Sequence, residues 1–96
     1  MRRRIAVLTS VLKIVNTAST ELRHDFWLAH QKLEEAQDLR SWDELATLPA
    51  KDPETLPKDS WIMPLGDGGW ITYVITEGDA VKDAEIVGAE LPPDQV

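Results

Sequence analysis

The stretch Gly66-Asp67-Gly68-Gly69 sets one carboxylate among three of the chain's five glycines, with Trp61 and Trp70 on either side. A carboxylate held in such a loop could serve as a general acid or base, provided burial moves its pKa into the working range. Aspartate before glycine is also a frequent turn dipeptide, chosen for backbone geometry alone. A phosphate cradle is excluded on spacing, because GxxxxGK[ST] has to open a helix. Here no Lys follows and the loop leads into the strand-like run Trp70 to Thr76. The glycines are therefore expected to form a hairpin turn, with no nucleotide or other cofactor, and no residue is assigned a catalytic role.

The remaining reactive groups are sparse. His24 and His30 are the only histidines, six residues apart and so roughly 120° from each other on a helical wheel. With Glu21 and Asp25, His24 makes an incomplete ligand set, so no metal site is expected. Cysteine is absent, which rules out disulfides, thiolate clusters and a cysteine nucleophile and fits a cytoplasmic location. Arg2-Arg3-Arg4 could meet RNA, phospholipid or an acidic protein, but such a triplet is more commonly solvated, and here it could simply neutralise the acidic sheet of its own or a neighbouring chain. The four tryptophans, Trp27, Trp42, Trp61 and Trp70, are the most informative side chains, since indole is a core filler or an interface anchor. If the strands around the glycines pair symmetrically about residues 65 and 66, Trp61 and Trp70 face one another.

Charge narrows the partner. The 96-residue chain has a formal net charge of -7, unevenly spread: residues 1 to 40 carry seven Lys/Arg against five Asp/Glu, residues 41 to 96 three against twelve. Nucleic-acid binding needs clustered positive charge to displace counterions, and the second half has none to offer. A basic protein partner suits it, and no direct contact with nucleic acid is expected.

The elements that must position these groups are read from periodicity. Ile5, Leu8, Leu12, Val15, Ser19, Leu22, Phe26, Ala29, Leu33 and Ala36 recur at spacings of three and four. One long helix from about Arg3 to Arg40 fits this stripe, as do two helices meeting near Asn16-Thr17-Ala18-Ser19-Thr20, where polar cap-forming residues cluster; a break there is favoured. A third reading makes Arg4 to Val15 a strand, because Ile5, Val7, Val11, Ile14 and Val15 are β-branched. The basic, apolar start is interrupted by Lys13 and is too short for a membrane span, so it is assigned to the fold, and no membrane association is expected. Glu21 to Arg40, free of Gly and Pro, is a helix. Ser41-Trp42-Asp43-Glu44 matches a capping box opening a short helix to about Leu48.

Pro49, Pro53 and Pro57 make residues 49–59 an irregular connector. From Ser60 the pattern changes to alternation, with Trp61, Met63 and Leu65 in one run and Ile71, Tyr73 and Ile75 in the next. Glu77-Gly78-Asp79 marks a second turn, Val81 to Ala89 a third strand, and residues 91–96 an extended tail. The expected fold is a single α+β domain: a helical half (1–48), either two helices or a helical hairpin, packed on a three-stranded antiparallel β-meander (60–90). The run GGWITYVITEGDAVKDAEIVGAE, following a helical half and a connector, resembles the layout of the RelE/ParE toxin superfamily. That resemblance implies a basic ribosome or gyrase poison, whereas this meander is acidic, with Tyr73 as its sole aromatic hydroxyl.

Three functions are weighed on these residues. The leading one is a non-enzymatic module that docks on a basic protein and acts by occlusion, as inhibitors, antitoxins and phage-encoded immunity proteins do. Its interface is expected on the meander, at Asp59, Trp61, Asp67, Trp70, Glu77, Asp79, Asp83 and Glu85. The second is a homodimer or larger structural oligomer paired through the heptad stripe from Ile5 to Ala36. The third is an RNase on a RelE-type scaffold, with His24, His30, Tyr73 and the three arginines as its candidate groups.

Overall fold

A computed structural model describes residues 2–50, 59–66, 68–76 and 78–91. In chain order the elements are β1 (Ile5–Val7), α1 (Thr9–Asn16), α2 (Thr20–Glu35), α3 (Trp42–Leu45), β2 (Leu48–Pro49), β3 (Ser60–Leu65), β4 (Gly69–Ile75) and β5 (Ala84–Glu90). The described strands form one five-stranded mixed sheet in the order β1-β5-β4-β3-β2. The α+β class and the antiparallel β3-β4-β5 meander match the sequence expectation. The three-stranded limit does not: β1 adds in parallel to β5, and β2 adds antiparallel to β3. Part of the strand reading at the N-terminus therefore holds, over Ile5–Val7, while Thr9–Asn16 is helical.

The helical break falls where the cap-forming residues cluster. Thr17 and Ala18 backbone N–H groups donate to Ile14 and Val15 carbonyls and close α1, and Ser19 Oγ accepts from Leu22 N–H to open α2. Helix α2 stops at Glu35, five residues short of the expected end. Two outside groups account for this. The Arg3 guanidinium donates to the Ala36 and Gln37 carbonyls (2.8 and 2.6 Å), where a cation also complements the helix dipole. Glu44 Oε2 and Oε1 accept from Gln37 and Asp38 N–H, turning the chain so that Leu39 becomes fully buried. Ser41 caps α3 as predicted, accepting from Glu44 N–H, but Glu44 is thus spent upstream and does not return to Ser41. Helix α3 ends at Leu45 because Ala46 takes a left-handed conformation (φ 51°).

The heptad stripe is consumed within the chain. Val11, Val15, Leu22, Phe26, Ala29 and Leu33 pack against Met63, Leu65, Ile71, Tyr73, Ile75, Ala84 and Ile86, so α1 and α2 cover one face of the sheet. At this interface Tyr73 Oη lies 2.6 Å from the Leu39 carbonyl and 2.7 Å from Thr47 Oγ1, while Thr47 Oγ1 donates to the Ile62 carbonyl at 2.7 Å. Each hydroxyl has one proton, so the Tyr73 proton is shared between two acceptors. Burial pushes the Tyr73 phenol up to about 12.

The β3–β4 register corrects the tryptophan pairing. Leu65 pairs with Gly69 and Pro64 with Trp70, whereas Trp61 pairs with Tyr73. The turn is centred on residue 67, and partner numbers sum to an even value. Trp61 and Trp70 therefore lie on opposite faces and cannot form a cross-strand pair. Gly66 (φ 61°) and Gly68 (φ 88°) supply the left-handed conformations of this turn. Position 67 itself lies outside the described residues.

Candidate functional site

The face of the sheet turned away from the helices is uncovered among the described residues. Cross-strand partners place Pro64, Trp70 and Glu90 in one outward row, Leu48, Ile62, Thr72 and Gly88 in the next, and Val74 beside Glu85 in a third. An unpaired Val87 marks a bulge in β5, where the register jumps between Tyr73–Ile86 and Thr72–Gly88. At the α3 end of this face lies a groove of about 280 Å³ whose walls are almost wholly apolar, formed chiefly by Trp42, Leu48, Ile62, Pro64 and Trp70. Trp42, Leu48 and Trp70 remain 60, 48 and 39% exposed, so three large apolar side chains are gathered around one depression.

Two of the four tryptophans thus line this groove, and of Trp42, Leu48 and Trp70 the sequence singled out only Trp70 as an interface residue. Trp42 and Leu48 were missed because they join the groove through α3 and β2, the shortest elements. The Ala46 left-handed cap is what brings Leu48 back onto the sheet edge. Of the other tryptophans, Trp27 lies on the solvent side of α2, with its ring edge-on to Phe26 and His30. Trp61 is half-buried, and its indole N–H donates to Asp59 Oδ1 at 2.8 Å.

The acidic positions singled out in the sequence fall into two separate clusters. Asp59, at φ 63°, pairs with Arg40 and accepts from Trp61; the Arg40 guanidinium, aided by the indole N–H, holds its carboxyl below the usual range against partial burial. Across β4, on the β5 side of the sheet, Asp79 Oδ1 accepts from the Val81 and Lys82 N–H groups (2.7 and 3.2 Å), which depress its pKa. Asp83 accepts from the Arg4 backbone N–H (2.8 Å) and guanidinium (3.3 Å) and is depressed likewise. Glu85 pairs with Lys82 at 2.9 Å. Asp67 and Glu77 lie outside the described residues. Trp70 stands apart from both clusters, beside Glu90.

Of the groups weighed for RNA chemistry, Arg2, Arg3 and His30 meet around Glu34 at the end of α2, whereas Tyr73 and His24 lie apart from them. Tyr73 is interior. His30 lies 3.1 Å from Glu34 Oε1 and 3.2 Å from the Ile5 carbonyl, tying α2 to β1, whereas His24 is exposed on α2. Arg3 caps α2, Arg4 holds Asp83 and the Ala80 carbonyl, and Arg2 pairs with Glu34 and Glu35. Among the described residues no group of three or more His, Asp or Glu is placed to hold a metal ion. No helix among them is long and apolar enough to cross a membrane.

No family model matches this chain, and no curated protein matches it. Among solved structures, a chain in the crystal structure of the archaeal RelE-RelB complex from Pyrococcus horikoshii OT3 superposes with a TM-score of 0.70 over 97% of this chain and 98% of that one, at 14% identity. The likeness spans the helices and the added strands as well as the meander, so this chain shares the fold of a protein in a RelE-RelB complex.

Proposed function

We propose that this protein is a non-enzymatic binding module of the toxin-antitoxin kind, which docks on a basic protein partner through the open face of its sheet and acts by occlusion. The observation that carries the reading is the uncovered groove of Trp42, Leu48 and Trp70 on an acidic chain. Large apolar side chains that contribute little to their own core are the typical anchors of an interface. The shared fold supports the same reading, because the structure that has it is a RelE-RelB complex. The RNase reading has less to work from, because Tyr73 is interior and Arg2, Arg3 and His30 are engaged with Glu34 and the end of α2.

The test is co-purification from the source cells with the full chain and with a Leu48→Asp/Trp70→Ala double variant as bait, followed by reconstitution with the purified candidate. The expected result is a protein of positive net charge that binds the wild type at 0.1 M salt, weakens steeply by 0.5 M, and ignores the variant. Ribonuclease activity in the purified chain that is lost on His24→Ala would sink the proposal and restore the enzyme.

A further inference from the structure

Granting that this chain binds a basic protein, the structure restricts the form in which the partner presents itself. A protein can join a sheet by adding a strand to an edge or by laying side chains on a face. Both edges here are closed to a strand. At β1, Arg3 N–H already donates to the Glu34 carbonyl (2.7 Å) and the Ile5 carbonyl meets His30 Nε2, so the end of α2 occupies that edge.

At the opposite edge, Ala50 N–H donates to the Ser60 carbonyl, which turns Ala50 and, by alternation, Leu48 toward β3. Pro49 between them faces outward with no N–H to give. The same alternation works along β3. Ile75 N–H donates to the Asp59 carbonyl, so the odd residues of β3 bond to β4 and the even ones face the β2 side. Pro64 therefore meets the free edge where β2 no longer covers it, again without a donor. Prolines at outward positions are a known means of blocking strand addition.

What remains is the groove, and its surroundings have a definite charge. Glu90 is the cross-strand partner of Trp70, and Asp43 adjoins Trp42 on α3; both are exposed. Of the described cations near these walls, Arg40, two residues before Trp42, is paired with Asp59, and Lys32 lies on the helical side of Met63 and Pro64 in a cleft it shares with Asp25. A second copy of this chain would bring Glu90 and Asp43 against their own kind on a molecule of net charge -7. A segment that satisfies its own backbone, offers an apolar stripe and flanks it with cations meets every one of these conditions. We infer that the groove of Trp42, Leu48 and Trp70 receives a cationic amphipathic helix of the partner protein, neither an added strand nor a second copy.

Two synthetic peptides of one Leu/Lys composition and about 14 residues test this, the helical one spanning about 21 Å. One repeats its leucines at helical spacing and the other alternates strictly. Each is titrated into the full-length chain by calorimetry, with tryptophan fluorescence as a second readout. The helical peptide is expected to saturate one site at least about tenfold more tightly than the alternating one. Leu48→Asp and Trp70→Ala, at exposed positions whose folding is checked by circular dichroism, are each expected to weaken it by about tenfold.

Tighter binding of the alternating peptide overturns the inference, as does failure of both peptides to saturate. Unchanged affinity in both variants overturns the groove while leaving a basic partner in place. A Leu/Glu peptide of helical spacing that binds equally well removes the basic partner instead. Sedimentation showing a wild-type dimer that Leu48→Asp dissolves assigns the groove to a second copy and overturns the inference too.

Discussion

Neighbouring residues of β4 lead opposite lives: Ile71, Tyr73 and Ile75 are buried under the helices, while Trp70, Thr72 and Val74 face outward. The alternation is that of any strand. The difference lies in what each face is given. The inner face receives Val11, Val15, Leu22, Phe26, Ala29 and Leu33 of the helical stripe and a hydrogen-bonded tyrosine. The outer face carries Trp70, Ile62 and Leu48 with no element of the described chain laid over them. The inner face therefore accounts for stability, and the apolar residues of the outer face are available for another molecule.

The sharpest way to break this division is Phe26→Ala. Phe26 is fully buried at the centre of the inner face, and its truncation should cost about 3 to 5 kcal/mol in urea unfolding; a loss under 1 kcal/mol would falsify the assignment of the core. Alkaline titration comes next. The folded Tyr73 pKa of about 12 stands above its ordinary value of 10.0, so its neutral form stabilises the fold. That contribution is complete below pH 10 and is lost as the pH rises toward 12, amounting to roughly 2 to 3 kcal/mol. Unfolding measured across that window should show a phase that Tyr73→Phe removes.

At neutral pH, Tyr73→Phe should cost only about 1 to 2 kcal/mol, because it removes one shared proton and leaves the ring in place. Thermal unfolding beside the wild type measures it. The smallest effect is expected on the other face. Leu48→Asp should shift stability by no more than about 0.5 kcal/mol, since the side chain is 48% exposed. A cost near that of Phe26→Ala would show that the outer face is core after all, and the division between the faces would fail.

The features legible in the sequence were those with local physical causes. Helix α2 announced itself through composition and spacing, its start through Ser19, and the meander through alternation broken by glycine. The short elements were not legible. Three residues of β1 cannot display a period, and their partner Ala84–Ile86 is fixed only when the chain has folded back. Glu44 matched a capping box, yet its carboxylate found two better-placed donors in Gln37 and Asp38. The tryptophan pairing failed on parity: centring the turn at residue 67 places Trp61 and Trp70 on opposite faces. Trp70, which lines the groove, was singled out from the sequence, whereas its neighbours Trp42 and Leu48 depend on the left-handed turn at Ala46.

The parallel contact between β1 and β5 also sets a timetable. Arg4 is bonded to Asp83, 79 residues further along, and at a synthesis rate of 5–20 residues per second that interval takes about 4 to 16 s. For that time β1 has no strand beside it, and the apolar stripe of α2 has no finished sheet beneath it. A nascent chain of this design depends on its last strand to conceal its first helices, so truncation before Ala84 should yield a species that chaperones retain rather than a smaller folded protein.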